Sequence, residues 1–156
     1  MMRKAGRAAR PTVATYRDDP LYPRIDRAVA RILANGKVVA PVDVLVGMGL
    51  LAPEKLEDWR RGGVRYLEAV INCNLMRLSR ILRILRFHAH DLNLVPSFTA
   101  YMRRGKGPKQ RLRFTKTGGP NLEEAYARHC MAGQGPFPPT GAEGDPRMTR
   151  RAIDHL

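Results

Sequence analysis

Four arginines recur at every third position in the stretch LMRLSRILRILRFHAH, from Leu75 to His90. Arginine holds phosphate oxygens with two parallel hydrogen bonds and stacks on bases, so a row of arginines is typical of a polyanion-binding surface. The residues between them are mostly aliphatic. At about 100° per residue, this spacing predicts an amphipathic helix that exposes its arginines opposite an apolar stripe. The four arginines are Arg77, Arg80, Arg83 and Arg86.

A second basic segment follows this helix along the chain. Residues 98–104 and 111–117 flank the loop sequence GKGPKQ, which predicts a β-hairpin. We expect Leu112 and Phe114 to face the core, and Tyr101 to be available for stacking on a base if it points outward. The candidate phosphate-binding residues of the hairpin are Arg103, Arg104, Lys106, Lys109, Arg111 and Arg113.

The charge of the chain is concentrated in these two segments. The 156 residues include 28 Lys and Arg against 14 Asp and Glu, a net charge of +14. Between Gly62 and Gly118 there are 12 basic and 2 acidic residues, a net charge of +10. We therefore expect a non-enzymatic nucleic-acid-binding protein that contacts the phosphate backbone through the helix and the hairpin. Phosphate contacts do not distinguish DNA from RNA, so that choice stays open.

Two other functions are compatible with the same residues. The basic face could dock an acidic protein, which would make the chain an interaction adaptor. The string HAHD, with His88 and Asp91 three residues apart and His129 from a later helix, could serve a metal-dependent nuclease. However, the sequence clusters too few ligands for a metal site and has no phosphate loop or Ser-His-Asp spacing. We predict no catalytic residue, no metal and no cofactor.

The segment PVDVLVGMGLLAPEKLEDWRRGG resembles a helix-turn-helix over about 22 residues. Its turn is one residue too long, and the helix that would enter a groove carries three carboxylates, which repel phosphates. We therefore expect these helices to pack in the core, with Trp59 as the anchor. The three carboxylates are Glu54, Glu57 and Asp58.

The elements that would position these residues form an α+β fold that is mostly α. Proline starts and glycine stops predict three short helices, from Pro23 to Asn35, from Pro41 to Gly49 and from Pro53 to Gly62. A long central helix should run from Val64 to His90, and a short helix from Asn121 to His129, after Pro120, should follow the hairpin. We expect one domain over residues 20–130, a disordered basic arm over 1–19 and a disordered Gly/Pro-rich tail over 131–156.

Three further expectations concern a homodimer, a membrane and the cellular compartment. Asn74 falls within the predicted apolar stripe, where it could bond a neighbouring backbone group or set the register of a homodimer. In the dimer case, Asn74→Leu should make the protein more stable. The basic helix could also lie on anionic lipid, but its stripe is needed to cover the other helices, so we expect no membrane partner. Two cysteines without CxxC spacing indicate a reducing compartment, and we expect the cytoplasm.

Overall fold

The structure is a computed structural model that describes residues 10–133. The fold is α+β and mostly α, as predicted, and a three-stranded antiparallel sheet accompanies the helices. The described elements are α1 Tyr22–Asn35, β1 Val38–Val39, α2 Pro41–Gly47, α3 Pro53–Arg60, α4 Leu75–Asp91, β2 Val95–Phe98, α5 Pro120–Ala127 and β3 Arg128–Met131, with 3-10 turns at Tyr16–Asp18 and Leu67–Val70.

The three short N-terminal helices are confirmed. Both α2 and α3 begin with proline, which has no N–H to leave unpaired in the first turn. Trp59 is fully buried, and its Nε1 donates to the carbonyl oxygen of Arg113 at 2.8 Å. The Trp59 ring also packs against Tyr101 and Phe114, with centroid distances of 5.4 and 5.1 Å. The predicted core anchor is therefore correct, and it joins α3 to the later basic segment.

The central helix is shorter than predicted, because it begins at Leu75 rather than at Val64. The amides of Leu67 and Glu68 donate to the carbonyl oxygens of Arg113 and Phe114, at 3.2 and 2.9 Å. These amides therefore pair with a distant segment instead of with their own helical turn. The apolar spacing over residues 64–71 reflects burial of Leu67 and Ile71 in an irregular segment, not a continuous helix.

The interpretation of Asn74 as a residue within the stripe of the helix is wrong. Asn74 is exposed and has extended backbone angles at the N-cap position of α4. Its Oδ1 accepts a hydrogen bond from the amide of Arg77 at 2.8 Å. The side chain satisfies one of the unpaired donors of the first turn, so it offers no basis for a homodimer. The homodimer itself stays a prediction.

The sheet was not predicted as such, because each strand is short and its partners are distant in sequence. The order is β1–β3–β2, with β3 in the centre and both pairings antiparallel. Phe98 lies opposite Arg128, and Ser97 lies opposite His129. The last helix therefore ends at Ala127 rather than at His129, because residues 128–131 complete the sheet.

The predicted hairpin is present but shorter than expected. Met102 and Arg111 form an isolated antiparallel bridge, flanked by hydrogen bonds from Arg103 N to Gln110 O and from Leu112 N to Tyr101 O, both 2.7 Å. Leu112 and Phe114 are buried, as predicted, and Arg111 and Arg113 are exposed. Within the loop, Gly105 and Gly107 both have φ of +102°, a conformation that favours glycine.

The ordered domain begins before the predicted boundary at residue 20. Tyr16 is 1% exposed, and its hydroxyl donates to Asp91 Oδ2 at 2.5 Å. Asp19 is also buried, so this part of the predicted arm packs on α4. The rest of that arm, residues 1–9, and most of the predicted tail, residues 134–156, lie outside the described residues. Of the helices in residues 10–133, none combines the length and hydropathy that a bilayer crossing requires.

Candidate functional site

A large open groove runs along the exposed side of α4. It has a volume of about 970 Å³ and lies between α4, α5, the ends of β2 and β3, and the N-terminal segment. The lining residues are Arg10, Pro11, Pro41, Leu75, Met76, Ser79, Arg80, Leu82, Arg83, Leu85, Arg86, Phe87, Phe98, Asn121, Leu122, Glu124, Ala125, Arg128 and Cys130.

The groove is strongly cationic. Its lining includes five arginines and one carboxylate, Glu124. Three of the arginines come from α4, and the other two come from opposite ends of the described chain. One of these charges, on Arg80, is paired with the buried carboxylate of Asp19, but the lining still holds an excess of positive charge that attracts anions. The arginines are Arg10, Arg80, Arg83, Arg86 and Arg128.

Two of the predicted phosphate-binding arginines of α4 hold the fold together. Arg80 Nε donates to Asp19 Oδ2 at 2.5 Å, and the Asp19 side chain is only 3% exposed. Arg83 Nε donates to the carbonyl oxygen of Pro11 at 2.6 Å, and its guanidinium lies 5.2 Å from the centre of the Phe87 ring. These residues line the groove, but their first role is to anchor the N-terminal segment on α4.

The other two predicted arginines of α4 are exposed. Arg86 lines the groove, whereas Arg77 lies on the same helix outside its lining. Arg10 is also exposed and faces the groove from the N-terminal segment. Within residues 10–133, the side chains of Arg86 and Arg10 have no ion-pair partner. Their guanidinium groups are therefore available to an anion in the groove.

Exposed apolar side chains line the same groove. Leu75, Met76 and Phe98 are 53%, 84% and 53% exposed. The guanidinium of Arg128 lies 5.5 Å from the centre of the Phe98 ring, because the two residues face each other across β2 and β3. Burial raises the pKa of the Cys130 thiol, and the positive charge of Arg128 acts in the opposite direction. The lining thus combines exposed apolar side chains with arginines; we call Leu75, Met76 and Phe98 the floor of the groove and its arginines the rim.

The hairpin residues do not line this groove. Arg104 pairs with Glu57 at 3.3 Å, and Arg103 donates to the carbonyl oxygen of Lys106 in the loop. Arg113 Nε donates to the carbonyl oxygen of Thr115 at 2.9 Å. The remaining three predicted residues are exposed and have no side-chain hydrogen bond or ion pair within residues 10–133: Lys106, Lys109 and Arg111.

The expectation that Tyr101 is available for stacking on a base is wrong. Tyr101 is 4% exposed, and its hydroxyl lies 2.6 Å from His129 Nε2. Burial raises the pKa of the Tyr101 phenol and lowers that of the His129 imidazole to about 4. The guanidinium of Arg60 covers the Tyr101 ring at 4.8 Å. This aromatic residue is part of the core beneath the hairpin.

The residues considered for a nuclease are engaged in separate contacts. His88 Nε2 lies 3.0 Å from Asp26 Oδ1, whereas Asp91 accepts from the Tyr16 hydroxyl. The hydrogen bond from Tyr16 is the largest factor that lowers the pKa of Asp91. His129 contacts Tyr101 instead of this end of α4. In the described part of the chain, no three His, Cys, Asp or Glu residues are grouped in a way that could hold a metal ion.

Comparison with known proteins adds no further constraint. No protein-family model, curated protein or solved structure matches the chain significantly. The function must therefore be argued from the groove itself.

Sequence reasoning missed several groove residues because tertiary structure brings them there. Phe98 and Arg128 meet only through the register of β2 on β3. Leu75 has the spacing of the predicted apolar stripe, yet it is the first residue of α4 and its side chain is 53% exposed. Arg10 was assigned to the arm. The basic residues around Arg10 indicate that it could bind an anion. They do not indicate where the arm packs on the folded chain.

Proposed function

We propose that the chain binds nucleic acid without catalysing a reaction on it, and that the groove along α4 is the principal binding site. The observation that carries this proposal is the composition of the groove lining. It contains five arginines, one carboxylate and exposed apolar side chains. Cationic grooves with exposed aromatic or apolar surface suit a ligand that carries both phosphates and bases. Phosphates would contact the rim and bases would cover the floor.

The exposed arginines supply the phosphate contacts in this proposal. Within residues 10–133 the guanidinium groups of Arg10 and Arg86 have no ion-pair partner, and Arg128 is positioned beside Phe98. Each neutralised phosphate releases condensed counterions, which makes the affinity dependent on salt. The exposed cations of the hairpin form a second patch that we propose as an additional phosphate contact: Lys106, Lys109 and Arg111.

A second candidate function is favoured by a specific feature of the groove. Leu75 and Met76 are highly exposed at the first turn of α4, and a partner helix with one apolar face would cover them. An acidic polar face on that helix would then match the arginine rim. The chain would in that case be an adaptor for an acidic protein.

A fluorescence anisotropy titration with labelled single-stranded DNA, single-stranded RNA and duplex DNA across a salt series tests the proposal. Nucleic-acid binding predicts that log affinity falls linearly with log salt, with a slope of about 0.7 to 0.9 per phosphate contact. Absence of binding to all three ligands at low salt would overturn the proposal. The second candidate function, an adaptor for an acidic protein, would then replace nucleic-acid binding as the proposal.

A further inference from the structure

We infer that the ligand of the groove is a single strand, and that one unpaired base stacks on Phe98. This inference rests on the proposed function and makes it more specific. Its basis is the juxtaposition of exposed apolar side chains and arginines within one concave surface.

The apolar floor favours a single strand over a duplex. A duplex keeps the faces of its bases within the stack, so it could reach the arginine rim with phosphates but would leave Leu75, Met76 and Phe98 in water. A single strand can turn its bases away from the phosphates and place them on these side chains. The three side chains are 53%, 84% and 53% exposed, so they are available to a ligand. Of the two forms, only the single strand can cover them with bases.

Phe98 is the residue best placed to receive a base. It is the exposed aromatic side chain of the groove, whereas Phe87 is half-buried under Arg83. The guanidinium of Arg128 lies 5.5 Å from the centre of the Phe98 ring. Because the guanidinium lies over one face of the ring, a base would stack on the other face, with Arg128 near enough to contact its phosphate. The strand register that pairs Phe98 with Arg128 fixes this arrangement on a rigid element.

The rim and the floor contribute differently to binding. Arginines on the rim bind phosphates of any sequence, so they set the salt dependence. Stacking on Phe98 tolerates every base because each base has an aromatic face. We therefore expect little base preference and a marked preference for unpaired strands.

The experiment compares one oligonucleotide as a single strand and as a duplex, with the wild-type chain and with F98A, F98W and V95A. Val95 is the control because it is an exposed apolar residue of the same strand that does not line the groove. We expect the single strand to bind at least about 10-fold more tightly than the duplex. F98A should lower single-strand affinity by about 10-fold without changing the salt slope, while F98W and V95A retain it.

The F98W variant adds a direct readout. The chain has one tryptophan, Trp59, which is fully buried, so a change in fluorescence on binding can be attributed to the new indole at position 98. We expect this fluorescence to be quenched when a base stacks on the indole. Equal affinity for duplex and single strand, with F98A unchanged, would overturn the inference and leave the proposed function in place. Absence of binding to either form would overturn both.

Discussion

Arg80 Nε donates to Asp19 Oδ2 at 2.5 Å, and this ion pair joins the middle of α4 to the segment that precedes α1. Asp19 Oδ1 also accepts from the amide of Leu21 at 2.9 Å. The carboxylate is buried, so its charge is compensated by these donors instead of by water. Arg80 is therefore a structural residue as well as a lining residue of the groove.

Removing this carboxylate should destabilise the fold. Asp19→Ala leaves the Arg80 guanidinium without its buried counterion and the Leu21 amide without its acceptor, and we expect a loss of about 3 kcal/mol in the free energy of unfolding. Urea denaturation followed by circular dichroism measures the change. Asp18→Ala is the control, because Asp18 is adjacent but exposed, and it should change stability by less than about 0.5 kcal/mol. Equal stability of the two variants would show that the pair contributes little.

Asn74 should behave as a helix cap. Asn74→Ala removes the acceptor for the Arg77 amide, so we expect a loss of about 1 kcal/mol. Asn74→Leu should be destabilising too, which is opposite in sign to the expectation from the apolar stripe. Thermal unfolding gives the measurement, and Asn72→Ala, at an exposed position outside the helix, is the control. A more stable Asn74→Leu protein would contradict the assignment as a cap.

Stability should fall in mild acid because of His129. Burial lowers the pKa of its imidazole to about 4 in the folded chain, against 6.5 for an ordinary histidine. Between these values the unfolded state binds more protons, so the free energy of unfolding decreases as the pH falls, by about 3 kcal/mol in total. Urea unfolding between about pH 7 and pH 4.5 should show most of this loss in the wild type.

A comparison of variants isolates the contribution of His129. His129→Gln cannot take up the proton, so its stability should depend less on pH over this range. His90→Gln is the control, because the His90 side chain is 88% exposed, and it should retain the wild-type dependence. If the free energy of unfolding of His129→Gln and of the wild type depends on pH in the same way, a group other than His129 causes the loss of stability.

The sequence predicted the elements whose signals are local. Proline in the first turn and an apolar face identify α1, α2 and α3, and Trp59 was expected to anchor the core. The alternating pattern around Leu112 and Phe114 was also sufficient to place them in the core. These features depend on neighbours in the chain, so periodicity captures them.

The errors share a cause in long-range pairing. Residues 64–74 have helical spacing, but the amides of Leu67 and Glu68 pair with the chain at residues 113–114. Glu123 lies in the first turn of α5, and its carboxylate accepts from the amides of Phe114 and Thr115, which only the folded chain brings close to it. Sequence patterns could not predict the groove for the same reason, because Arg10, Phe98 and Arg128 come together only in the folded chain.

The central claim is that the arginines of the groove, rather than the overall charge, bind nucleic acid. The most direct test compares R10E/R86E with R27E/R31E, because both pairs are exposed and each changes the net charge by the same amount. With a single-stranded ligand, we expect R10E/R86E to lose at least about 10-fold in affinity and to lower the salt slope by about 1.4, for two phosphate contacts. R27E/R31E on α1 should retain nearly the wild-type slope. Equal losses in both variants would contradict the claim and assign binding to the net charge of the chain.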